Sequence, residues 1–110
     1  MNEEQLRMLD EEVSAEVMGL HPQDLRMLTW PRAVRAYSTN INAAWDMEAV
    51  INLQGLASEY GEGVSILLHS QFITATFYDF LHASPELRCR AALAAVRGEV
   101  QSLRMPAPTE

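Results

Sequence analysis

The chain has 110 residues, 15 acidic and 8 basic side chains, a formal charge of −7 and a hydrophobic content of 48%. That length suits one domain with a modest core, and the acidity opposes binding to nucleic-acid phosphates, which depends on Lys and Arg. No apolar run approaches the roughly 20 residues that cross a bilayer, and the single cysteine, Cys89, excludes an internal disulfide framework or a multi-cysteine zinc site.

The opening MNEEQLRMLDEEV lacks the basic and apolar regions of a signal peptide, so a cytoplasmic location is expected. There is no lysine, and arginine suits planar, bidentate recognition of carboxylate or phosphate. A first helix is predicted over residues 3–18, with Leu6, Leu9, Val13 and Val17 on one side and Gly19 placed for a left-handed terminus. The run Asp10-Glu11-Glu12 is read as a solvated face, because consecutive helical carboxylates point in different directions. Residues 20–37 are the least regular stretch, with a helical turn over Asp24–Leu28 ended by Pro31. Here Trp30, Arg32, Arg35 and Tyr37 form the most concentrated aromatic and positive group, suited to an anionic ligand beside an oligomer seam.

A second helix follows from a cap among Ser38, Thr39 and Asn40, with Ile41, Ala44, Trp45, Val50, Ile51 and Leu56 as apolar positions and Gly55 near its end. Its apolar residues spread widely round the axis, which suggests contact on more than one side, within the fold or with another subunit. Val64–His69 alternates in polarity and reads as a strand, entered through Gly61-Glu62-Gly63. Ser70-Gln71 is a tight connection to a returning strand, Phe72–Tyr78, rich in β-branched and aromatic residues. A two-stranded hairpin is marginal alone, so residues 33–37 add a third strand or an edge pairs with a second copy. The last helix, Ser84–Leu103, has Ser84 as N-cap and Pro85 at its first position. Cys89, Ala92, Leu93, Val96, Val100 and Leu103 make its stripe, with Arg88, Arg90 and Arg97 on other faces. Residues 104–110 read as a disordered tail.

The expected fold is therefore a single α+β domain over 1–103. Three main helices pack with a small antiparallel sheet, an α/β/α sandwich-like arrangement in the order α-α-β-β-α. No nucleotide-binding glycine loop, zinc-ligand spacing or nucleophile elbow is present. His69, His82 and Asp79 are the sole candidates for acid–base work, without a nucleophile beside them, and Cys89 lies on the apolar stripe. No catalytic residue, metal site or cofactor is expected.

Two segments, YSTNINAAWDMEAVI and HASPELRCRAALAAV, carry a further signal. Tyr37, Ser38, Thr39, Ala43, Ala44 and Trp45 in the first, with Pro85, Cys89, Arg90, Ala91, Ala92 and Leu93 in the second, resemble the helix signatures of the phage ABA sandwich domain family. AEVMGL, with Met18 and Gly19, is similar to that family's first helix. The chain departs from the pattern at Asn40, where an aspartate is usual, and in a short middle without a tryptophan- and glycine-containing loop. The resemblance implies a small helix–sheet–helix protein of phages or prophages and implies no reaction.

The expectation is a non-enzymatic phage accessory binding protein in the host cytoplasm. In one form it antagonises host defence as a homo-oligomer that sequesters an anionic, nucleotide-type signal through Trp30, Arg32, Arg35, Tyr37 and Arg90. The alternatives are an acidic inhibitor or nucleic-acid mimic that binds a host defence protein, and a structural accessory protein without a ligand. No direct contact with nucleic acid or membrane is expected.

Overall fold

A computed structural model describes residues 2–19, 35–71 and 76–104. The first helix, α1 (Glu3–Glu12), begins with a reciprocal cap: Gln5 N donates to Asn2 Oδ1 at 2.8 Å and Asn2 N donates to Gln5 Oε1 at 3.0 Å. It runs into a π-helical stretch, Val13–Val17, and stops before Gly19, whose φ of 74° is left-handed as the sequence predicts. The π turn keeps Leu9, Val13 and Val17 on one buried line. A turn around Tyr37–Thr39 returns the chain to α1, where Ser38 N donates to Asp10 Oδ1 at 2.7 Å and Ser38 Oγ to the Leu6 carbonyl at 3.3 Å.

Helix α2 (Ile41–Leu53) starts on Asn40, whose side chain accepts from Asn42 N and Ala43 N at 2.9 and 3.2 Å. Gln54 ends it and reaches across to the Val17 carbonyl at 3.1 Å. Helix α3 (Ala57–Gln71), the short α4 (Phe77–Leu81) and α5 (Pro85–Arg97) complete the fold with a 3₁₀ turn, Val100–Leu103.

The expected α+β fold is overturned, because no strand occurs among the described residues. Val64–His69 lies inside α3, Gly61 and Gly63 are helical, Thr76 caps α4, and residues 35–37 are not extended in a sheet. The physical reason is double burial. Val64, Leu67 and Leu68 pack with Ala83, Leu87 and Ala91, while Ile66 packs with Ala94, Ala95 and Val100. An apolar run buried on two sides loses the 3.6-residue period and imitates a short strand. Residues 72–75 of the expected returning strand, 33–34 of the third strand, the turn over 24–28 and tail residues 105–110 lie outside the described residues.

Helix α5 is the axis of the fold. Ser84 accepts from Leu87 N at 3.2 Å and Pro85 takes the first turn, as expected. The helix stops earlier than its apolar pattern suggests. Gly98 takes φ 71°, Gly98 N donates to Ala95 O at 3.3 Å, and Glu99 N donates to Ala94 O at 2.8 Å. These are the paired bonds of a Schellman terminus. Its burial is also wider than one stripe. Cys89 and Leu93 meet Leu9, Val13, Tyr37, Met47 and Ile51, while Leu87 and Ala91 meet α3. The small side chains Ala91, Ala92, Ala94 and Ala95 let neighbours close in on several sides. Where α3 crosses, the neighbour is Gly63; a Cβ there would stand 3.2 Å from Ala91 Cβ.

Candidate functional site

Of the five residues expected to hold an anionic ligand, Trp30 and Arg32 lie outside the described residues. Arg35 and Tyr37 come together, with the guanidinium carbon 5.8 Å from the centre of the Tyr37 ring. Tyr37 is a core residue, and burial pushes its phenol above its ordinary pKa. Arg35 is exposed and already engaged, donating from Nη1 to Asp46 Oδ2 at 2.7 Å. Arg90 opens on a cleft of about 250 Å³, shared with Glu12, Arg97, Glu99 and Ser102 and not with Arg35 or Tyr37. The described members of the set thus divide between two places, each with carboxylates nearby.

The titratable residues considered for catalysis also separate. His69 lies on α3, where its Nδ1 is 2.7 Å from the Ser65 carbonyl oxygen. It lines an open groove with Glu62, Ser70 and Arg104. His82 ends α4 and stacks on Tyr78, ring centres 4.1 Å apart. Asp79 beside it is committed to the cap of α4, accepting from Thr76 N at 2.8 Å and Thr76 Oγ1 at 3.1 Å. Cys89 is fully buried, and desolvation, reinforced by Asp10 and Glu86, pushes its thiol up to about 12. Among the described residues no group of three or more His, Cys, Asp or Glu is placed to hold a metal ion. No described helix is long and apolar enough to cross a membrane.

The strongest polar constellation was not visible in the sequence. Arg88, expected on an outer face of the last helix, is buried, with 10% of its side chain exposed. Its Nη1 donates to Glu48 Oε2 at 2.5 Å, its Nε to the Ala83 carbonyl at 2.9 Å and its Nη2 to the Leu81 carbonyl at 2.9 Å. Tyr60 donates its hydroxyl to the same Glu48 oxygen, and burial together with that carboxylate raises the phenol's pKa. One guanidinium therefore ties α2 and α5 to the end of α4, with α3 attached through Tyr60. The burial of the guanidinium and its bonds to the helix-end carbonyls make this a structural clamp.

Two long-helix faces stand out among the described residues. The outer face of α1 carries Glu3, Glu4, Arg7, Met8 and Glu11, with Met8 53% exposed. Asp10 and Glu12, expected in a solvated run, also have partners, Ser38 N and Arg97, and Glu12 stays exposed. Glu16 joins that second contact, accepting from Arg97 Nε at 2.6 Å, and the charged hydrogen bond lowers its carboxyl pKa. The outer face of α2 is different in kind, carrying Asn42, Trp45, Ala49 and Leu53. Trp45, expected as an apolar packing position, is 53% exposed and Leu53 is 85% exposed. Comparison of the chain with protein-family models, with curated proteins and with solved structures returns no match.

Proposed function

We propose that the protein is a non-enzymatic phage accessory protein that binds a basic host protein through the outer face of α1. The observation that carries this reading is where the positive charge goes. Arg35, Arg88, Arg97 and Arg104 each face a carboxylate, on Asp46, Glu48, Glu12 with Glu16, and Glu62 respectively. Glu3, Glu4 and Glu11 have no such ion-pair partner among the described residues; Glu4 and Glu11 lie one turn to either side of the exposed Met8, and Arg7 is the one cation on this face. An apolar, adaptable side chain flanked by carboxylates complements a basic surface with an apolar centre. The reciprocal cap at Asn2 and Gln5 presents this face on an ordered helix, which limits the entropy lost on binding. The same arrangement favours protein binding over nucleotide sequestration, since Arg35 and Arg90 stand apart and among carboxylates. The phage origin in this reading rests on the resemblance of segments 37–51 and 82–96.

The test is photo-crosslinking from position 8 of the full chain in a bacterial host, repeated with Glu4→Lys and Glu11→Lys. A single basic protein is expected at position 8 and is lost on charge reversal. The purified pair should then weaken steeply with salt. A partner captured equally by the charge-reversed chain, or an affinity indifferent to salt, would refute this assignment.

A further inference from the structure

We propose that α2 is a self-recognition surface, pairing antiparallel with α2 of a second copy of this chain about a two-fold axis at Ala49. The buried side of the helix is set by Ala43, Ala44, Met47 and Ile51. At 100° per residue, Ala49 falls at the middle of the opposite side, flanked by Trp45 and Leu53. Ile41, Trp45, Ala49 and Leu53 form one ridge with a four-residue step.

The ridge is self-complementary. Trp45 and Leu53 are equidistant from Ala49 in sequence, so a two-fold axis there sets each tryptophan against the other copy's leucine. The small residue sits where two helices must come closest, at about 8 Å between axes.

Charge leaves this face open to a second copy, whose complementary ridge makes it the occupant. Two chains of −7 repel one another over most approaches. The face from Asn42 to Leu53 is uncharged except for Asp46 at its margin, which Arg35 already neutralises at 2.7 Å. It also carries two of the most exposed large apolar side chains. A helix of 13 residues is about 20 Å long, so this ridge alone covers less than the roughly 800 Å² per partner of a standard interface. The dimer is therefore concentration-dependent, with a dissociation constant on the order of micromolar or weaker.

Sedimentation velocity of the full chain, over concentrations up to about 1 mM, tests this. A monomer–dimer equilibrium is expected. Ala49→Glu and Leu53→Glu should each weaken it at least roughly 100-fold by placing carboxylates against an apolar or like-charged surface. Both positions are exposed, so unchanged urea midpoints separate lost pairing from lost folding. Ala49→Cys should form a symmetric disulfide on oxidation, because only a residue at the axis meets itself; Ser58→Cys serves as the comparison. Three results would each overturn the proposal. These are a monomer at every concentration, whatever then covers the ridge, a dimer indifferent to both glutamates, or equal cross-linking at 49 and 58.

Discussion

Replacing Arg88 with methionine removes the clamp while keeping most of the apolar stem. Glu48 then loses its cationic partner, and the carbonyls of Leu81 and Ala83 lose donors at 2.9 Å. Removing one member of a buried ion pair costs about 3–5 kcal/mol, mostly through the charge left behind. The Glu48 side chain is 24% exposed and regains some water, which places the loss near the lower end of that range, at about 3 kcal/mol. With a urea dependence of about 1–2 kcal/mol per molar, the unfolding midpoint should fall by about 1.5–3 M. Arg88→Met with Glu48→Leu should recover about 1–3 kcal/mol of the summed single losses, because the second change removes the stranded carboxylate. Full recovery is not expected, since the α4 carbonyls still lack donors. Urea titrations followed by circular dichroism on the two singles and the double close the cycle. A midpoint shift below about 0.5 M in Arg88→Met, or strictly additive losses, would refute the clamp.

Gly61 and Gly63 should respond to alanine and larger residues with opposite signs. Gly61→Ala meets open space and should gain about 0.5–1 kcal/mol of helix stability, whereas Gly63→Val presses on Ala91 and Leu103 and should lose about 1–3 kcal/mol; thermal unfolding of both decides. Cys89, with its thiol pushed up to about 12, should resist a disulfide reagent at pH 8 until the chain unfolds, so its labelling should track the urea transition. Labelling of the folded chain at the rate of a free thiol would contradict its burial. The Arg97 contact lowers the Glu16 pKa below its ordinary 4.5, so the folded state binds the proton less readily than the unfolded state. The resulting stability is present above pH 4.5 and is lost as pH falls through the lowered value. Both side chains are about one-third exposed, which holds the effect under about 1 kcal/mol. The stability gap between the native chain and Arg97→Gln should therefore shrink between pH 7 and pH 3, and an unchanged gap would remove Glu16 from the account.

The ends of helices were legible because capping chemistry is local. Asn40, Ser84 and Pro85 open helices where the sequence indicates, and Gly19 and Gly55 take the positive φ expected of terminators. Gly98 ends α5 as well, although the apolar spacing through Leu103 suggested continuation; Val100 and Leu103 remain packed from a 3₁₀ turn instead. Helix α3 was illegible for the opposite reason. Its glycines weaken local helix preference, and Gly63 is explained only by Ala91 and Leu103, neighbours in space. Burial of Arg88 was equally invisible, since Glu48 lies 40 residues away in the chain. For the candidate site, the proximity of Arg35 and Tyr37 followed from their spacing, but the carboxylate of Asp46 that occupies Arg35 did not. The wide apolar distribution round α2 was readable, and it separates into a core side and the exposed ridge of Trp45, Ala49 and Leu53.

The central position of α5 has a bearing on how the chain is made. Glu12 is synthesised 85 residues before the Arg97 that holds it. At about 5–20 residues per second, a ribosome takes roughly 4–17 s to cover that distance. Late in this interval Leu9, Val13 and Val17 have been made, as have Tyr37, Met47 and Ile51 of their cluster, yet Cys89, Ala92 and Leu93, which complete it, have not. Helices α1, α2 and α3 all pack on α5, so the core is completed only after α5 is made. A translational pause before Ser84 would lengthen the exposure of every apolar face at once.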